Sequence, residues 1–210
     1  MLFQCTLLLQ LIMKTLLTLF VLFFSSLVVA EDISDFEIEG MSVGDNILDY
    51  FSKKQLINFS RSHFKDYNGI EVFSDVEKNH QRYFELENFD SIQVAYNKDS
   101  ADFFKIVSIV GQLWFIDDIE GCLRKQKEIK SGIENTIKSI LLRKEEIVKG
   151  KHPGDKSGKS FVTGTSYNLN NGDTLELMCY DWDNAMNWWD HLRLSINLKE
   201  YLEFLDTAYN

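Results

Sequence analysis

A single proline in 210 residues leaves the chain almost without rigid punctuation, so element ends must be read from glycines, caps and periodicity. Cysteine is scarce too: Cys5, Cys122 and Cys179, with no Cys-x-x-Cys, which excludes the common thiol redox motif. With His63, His80, His152 and His191 scattered singly, no zinc-ligand spacing arises. Gly-x-Ser-x-Gly, His-Glu-x-x-His and a reactive-cysteine context are all missing, so no hydrolase motif is present. Basic residues are outnumbered, 22 Lys and Arg against 32 Asp and Glu, and the net charge of −10 disfavours nucleic acid and simple attraction to anionic lipid.

The clearest positive feature is the first thirty residues. Lys14 precedes an apolar run from Leu16 to Val29, which ends in the small residues Val28, Val29 and Ala30. A basic start, about 14 apolar residues and small side chains at the end predict a secretory signal peptide over residues 1–30. The stretch 1–12 lacks Lys and Arg, so the true start is read at Met13. As a helix, Leu16 to Val29 spans about 21 Å, short of the roughly 30 Å hydrocarbon core. The alternative is an uncleaved anchor through residues 15–30, the only membrane contact expected. No cysteine lies just after the cleavage position, which excludes lipoprotein processing of the usual bacterial kind.

Residues 31–210 then form the mature chain. The leader carries one Lys and no acid, so its removal takes the net charge from −10 to −11. With 45% hydrophobic and 13% aromatic residues, this length predicts one packed domain in a periplasmic or secreted setting. Cys122 and Cys179 are an even pair that an oxidising compartment can bridge, closing a loop worth about 4 kcal/mol in the chain-entropy model. The other reading is two buried thiols acting as small hydrophobes.

Ser42 followed by Asp45 resembles a capping box, and Val43, Ile47, Tyr50, Phe51 and Leu56 predict a helix over 43–59. Strands are expected at 82–87, 91–97 and 102–115, the last two forming a hairpin through Asn97 to Ser100. Gly111 marks a bulge or a close approach. Apolar residues from Ile119 to Ile147 at helical spacing predict one long helix over 118–149, about 45 Å. Strands at 160–169, 174–182 and 191–197 follow, with a hairpin turn at Asn170, Asn171, Gly172 and Asp173, and a last helix covers 198–207. The resulting order is two α-β-β-β units. The fold class is α+β: an antiparallel sheet with one long helix and shorter helices packed on one face.

Gly158, Lys159 and Ser160 imitate the end of a phosphate-binding loop, but Pro153 stands where its first glycine belongs, and a helix precedes while a strand follows. The densest polar and aromatic cluster is Tyr180, Asp181, Trp182, Asp183 and Asn184, then Trp188, Trp189, Asp190 and His191. Loop-borne Trp182, Trp188 and Trp189 beside Asp181, Asp183 and Asn184 suit stacking on a sugar, and the two acids offer oxygen ligands for calcium. The competing reading has the indoles plugging the core and the acids capping a turn. Neighbours Asp190 and His191 point to opposite faces of a strand, which is not how a carboxylate orients a catalytic imidazole. No catalytic residue, cofactor or resident metal is expected.

Residues 38–51, with Glu39, Gly40, Met41 and Ser42 at their head, the stretch Lys156 to Ser160, and Cys179, Tyr180, Asp181 and Trp182 resemble segments of a group of exported proteins from small-genome marine bacteria. That likeness covers most of the mature chain and implies export but no assigned activity. The Glu-Gly-Met-Ser start is also similar, over about a dozen residues, to that of the small lipoprotein subunit of the outer-membrane β-barrel assembly machine and related periplasmic adaptors. It implies a helix start there; the lipid-bearing cysteine is absent here.

These readings converge on an exported, non-enzymatic module that recognises a protein partner in the cell envelope, as an adaptor or inhibitor would. The alternative is a small-ligand, glycan or calcium binder using the segment 180–191.

Overall fold

The computed structural model describes residues 30–61, 67–74, 83–97 and 104–209. Eight strands form one sheet: β1 (Ser60–Arg61), β2 (Tyr67–Phe73), β3 (Ser91–Asn97), β4 (Ile106–Trp114), β5 (Leu141–Lys151), β6 (Phe161–Leu169), β7 (Thr174–Asp181) and β8 (His191–Asn197). Their spatial order is β1-β2-β3-β4-β8-β7-β6-β5, every neighbouring pair antiparallel. Among the described residues three α-helices accompany it: α1 (Lys53–Phe59), α2 (Ile119–Thr136) and α3 (Lys199–Tyr209). The α+β class is the one the periodicities predict. Each half is a helix followed by a four-strand meander, one strand more than expected, and the halves join where β4 pairs with β8.

Strand alternation sends Ile70, Val72, Ile92, Val94, Ile109, Leu175, Leu177, Leu192 and Ile196 to one face, all at most 2% exposed. There α1 contributes Leu56 and Phe59, α2 contributes Cys122 and Ile133, and the segment 30–51 adds Ile33, Ile38, Met41, Ile47 and Phe51. The opposite face is polar at most positions, and α3 crosses it. Tyr67 of β2 meets Tyr201 and Phe204 there, ring centroids 5.2 and 4.7 Å apart.

Cys122 of α2 is bridged to Cys179 of β7 across 57 residues, both cysteines fully buried. Such a bridge is compatible with an oxidising compartment. Residues 1–29, all but the last residue of the leader expected over 1–30, lie outside the described residues. Ala30 is fully buried; its N–H donates to Thr136 O at 3.1 Å and its carbonyl accepts the Ser139 hydroxyl at 2.9 Å. Among the described residues no helix is long and apolar enough to cross a membrane.

Three expected elements differ. The helix over 43–59 is reduced to α1, preceded by a 3-10 turn, Ile47–Asp49. The Ser42 N–H does donate to the Asp45 carboxylate at 2.9 Å, but the Ser42 hydroxyl turns to Phe36 O, and Gly44 sits at φ 97°. Gly44 N–H and Ile106 O (2.8 Å), with Ile106 N–H and Asp45 O (2.8 Å), lay this segment along the start of β4 instead. The working start signal is Ser52 with Gln55, a full capping box that opens α1.

The strand over 82–87 is likewise absent over its described part: Tyr83 forms an isolated bridge to Phe73 and nothing more. That stretch is held through Glu39, whose carboxylate accepts the N–H groups of Glu87, Asn88 and Phe89 at 2.7, 2.7 and 3.0 Å. Phe89 thereby covers Gly111, where an added Cβ would stand 2.6 Å from the ring, so Gly111 marks a close approach.

The helix over 118–149 stops at Thr136, and its second half is β5. Lys and Glu favour a helix locally, but β5 gains a ladder with β6 from Leu141 to Lys151. The charges that look like a solvated helix face bind strand to helix. Lys130 reaches Glu146 at 2.6 Å, Lys144 reaches Glu134 and Glu146 at 3.1 Å each, and the Thr165 hydroxyl donates to Glu146 at 2.9 Å. Charged side chains on this outer strand also discourage edge-to-edge pairing.

Hydrogen bonds from Lys130 and Lys144 outweigh partial burial and hold the Glu146 carboxyl down at about 2, against an ordinary 4.5. A depressed carboxyl contributes stability that is complete above its unfolded pKa and lost as pH falls through the folded one. The melting temperature of Glu146→Gln is therefore expected to lie below that of the unaltered protein at pH 6, with the gap closing between about pH 5 and pH 2. Because the side chain is 44% exposed, solvent screening limits the difference to about 1 kcal/mol. A gap unchanged at pH 2 would remove Glu146 from this role.

Candidate binding surface

The end of the polar sheet face gathers the segment that the sequence singles out. β7 ends at Asp181, and Trp182 turns into the connection to β8. Asp183 caps a short 3-10 turn, Asn184–Met186, its carboxylate accepting the Ala185 N–H at 3.0 Å. Asn187 then takes a left-handed conformation at φ 55°, which reverses the chain and presents Trp188 and Trp189 before β8 begins. They are 63% and 45% exposed. Asn184 is exposed, while Asp181, Trp182 and Asp183 are half-buried.

Register explains what lies beneath. Trp114 pairs with His191 across β4 and β8, and Tyr180 pairs with His191 across β7 and β8, so three rings stand in a row on one face. Tyr180 and His191 stack at 4.7 Å with planes 14° apart, and Trp114 meets His191 edge-on at 5.5 Å. Trp182 lies 6.0 Å from Tyr180 and 4.3 Å from His152, Trp188 leans on Trp182 at 5.5 Å, and Trp189 meets Trp114 at 5.8 Å. Seven rings thus form one connected aromatic surface.

Hydrogen bonds fix its frame. Asp190 accepts the Trp182 N–H at 2.8 Å, and His191 Nδ1 donates to Trp189 O at 2.9 Å. A carbonyl can only accept, so His191 carries its proton on Nδ1. Its partner is that carbonyl and not Asp190, so the pair is not a carboxylate-oriented base. Burial holds the His191 and His152 imidazoles below the usual histidine range, and the ring surface is uncharged at pH 7. Burial instead raises the Asp190 carboxyl, opposed by the Trp182 N–H bond.

The loop that imitates a phosphate cradle supports the same surface. The Asp155 carboxylate accepts the Ser157, Lys159 and Ser160 N–H groups and the hydroxyls of Ser157 and Ser160, all within 3.2 Å. A phosphate would need those donors, and they are taken. These bonds, led by the two hydroxyls, hold the Asp155 carboxyl well below the usual range. The Ser160 hydroxyl also accepts the Asp183 N–H at 3.0 Å, tying this loop, with His152 at its base, to the tryptophan turn.

Of the expected site residues, Trp182, Trp188 and Trp189 come together. Asp183 is committed to capping, and Asn184 faces solvent beside the rings. Among the described residues no group of three or more His, Cys, Asp or Glu is placed to hold a metal ion. Tyr180 and His191, counted in the same cluster from the sequence, lie beneath them. Trp114 and His152 are the rings that the sequence does not bring to this cluster. Trp114 and His152 lie tens of residues away and arrive through strand register and a loop. Comparison with protein-family models, curated proteins and solved structures finds no match.

Proposed function

We propose that this chain is an exported, non-enzymatic recognition module of the cell envelope, an adaptor or inhibitor that binds a protein partner through the aromatic end of its sheet. The observation that carries the reading is the connected surface of seven rings, rigid beneath and exposed at Trp188 and Trp189. Trp and Tyr bury large area at small entropic cost and dominate protein interfaces. A glycan platform wants a flat exposed ring with free polar groups beside it. Trp182 and Trp188 are instead inclined by 33°, and the Asp183 carboxylate is already used.

A photo-crosslinking residue at Trp188, expressed in the protein's own host, should capture one discrete envelope protein. The same residue at Val148, 86% exposed on β5, should not. With that partner purified, Trp188→Ala is expected to weaken binding by about 2 kcal/mol or more, roughly thirtyfold. Equal crosslinking at both positions, or tryptophan fluorescence that responds to sugars or calcium instead, would replace this reading with the ligand-binding one.

A further inference from the structure

Away from the aromatic end, the polar sheet face and α3 enclose a cleft of about 280 Å³. Val110 lies on its floor, and Tyr201, Leu202 and Leu205 of α3 wall it. Arg193 of β8 reaches into it without a counter-ion: its guanidinium makes no hydrogen bond or ion pair among the described residues, and its Nε is buried. In a chain with 32 acidic residues against 22 basic ones, a half-buried arginine without a carboxylate is conspicuous. Acids do line the same cleft, but they are engaged elsewhere. Glu176 accepts the Ser195 hydroxyl at 3.3 Å, and Glu71, three strands away on β2, accepts the Gln93 amide at 2.9 Å.

We infer that this cleft is a binding site for a monocarboxylate with an apolar body, its carboxylate on Arg193 and its hydrocarbon against Val110, Leu202 and Leu205. A planar guanidinium offers paired donors that match a carboxylate, and the neutral apolar wall takes the rest. Glu71 and Glu176 line the same cleft and limit the charge it accepts to a single negative one, because a dianion such as phosphate would be repelled about twice as strongly. Two sources present this chemistry: a free small carboxylic acid and the C-terminal residue of a peptide.

The test uses four probes: N-acetyl-leucine, N-acetyl-leucinamide, and one pentapeptide ending in leucine with a free or an amidated terminus. Calorimetry on the intact protein should show each acid binding at least tenfold tighter than its amide. Comparable affinity for N-acetyl-leucine and the free-terminus peptide identifies a small acid as the ligand, and a much tighter peptide identifies a chain terminus. Arg193→Gln should abolish the preference for acid over amide, and Arg193→Lys should keep part of it. Equal binding of acid and amide, or no binding by any probe at millimolar concentration, overturns the site, and neither outcome depends on a variant folding. The aromatic surface is tested separately at Trp188, so failure of one reading leaves the other standing.

Discussion

Replacing both Cys122 and Cys179 with alanine is expected to destabilise the protein by about 4 kcal/mol. The bridge closes 57 residues, and releasing that loop returns about this much entropy to the unfolded chain. It joins the first turn of α2 to β7, so it ties the long helix to the strand at the centre of the second meander. Both cysteines are fully buried within the core, and the bridge spans a Cα separation of 6.0 Å. A reductant can reach the sulfurs only through opening of the structure, so loss of stability in dithiothreitol should be slow compared with reduction of an exposed disulfide. Urea denaturation of the two forms, at a common slope, measures the difference. A change below about 1 kcal/mol would mean that packing around α2, and not the covalent link, holds the two layers together.

The second large effect is expected at Gly164. It lies in β6 opposite Met178, and a Cβ there would run into the Leu177 carbonyl oxygen and stand 2.8 Å from Met178 Cα. Backbone in the middle of a ladder cannot turn aside as a side chain can. Gly164→Ala should therefore cost about 3 kcal/mol, and the smaller gain from restricting the unfolded chain, about 0.5–1 kcal/mol, does not offset it. Gly111→Ala is the matched control. There the obstacle is the Phe89 ring, half-buried in a loop and able to shift, so about 1 kcal/mol is expected. Thermal unfolding of the two variants should give a clear order, with Gly164→Ala melting roughly 5–10 °C lower than the unaltered protein. Equal losses would mean that the β6–β7 ladder yields more readily than its hydrogen bonding implies.

The second half shows where the sequence speaks plainly. From residue 160 onward, alternation in Leu175, Leu177 and Cys179 and in Leu192, Leu194 and Ile196 places three strands correctly. Asn171 and Gly172 mark their turn, Gly172 at φ 92°. The same reasoning failed at 137–151, because Ile137, Ile140, Leu141 and Ile147 satisfy a helical stripe by coincidence. Their charged neighbours favour a helix as readily as an outer strand. What decides is β6, which offers a complete ladder to one side of that segment. Local pattern cannot register an interaction with residues that come later in the chain. At the other end, Ser42 and Asp45 make half of their expected cap, yet the chain leaves the helical path at Gly44 for hydrogen bonds to β4.

The candidate surface divides in the same way. Trp182, Trp188 and Trp189 are visible as a cluster because they lie within eight residues of one another. Trp114 and His152 join them only through the β4–β8 register and the loop organised by Asp155. Arg193 is an unremarkable outward strand residue until α3 folds back over the polar face and makes a cleft around it.

By itself, the sequence determined the α+β class, most of the strands and the concentration of indoles near residue 182, because each rests on local periodicity, composition or count; it left Cys122 and Cys179 as either a bridge or two buried thiols, and the fold brings them together. Only the tertiary structure decided that residues 141–151 form a strand, that seven rings meet on one face, and that an arginine without a counter-ion lines a cleft. Those outcomes depend on which distant backbone hydrogen bonds are gained and which faces end up covered, and no local pattern carries that information.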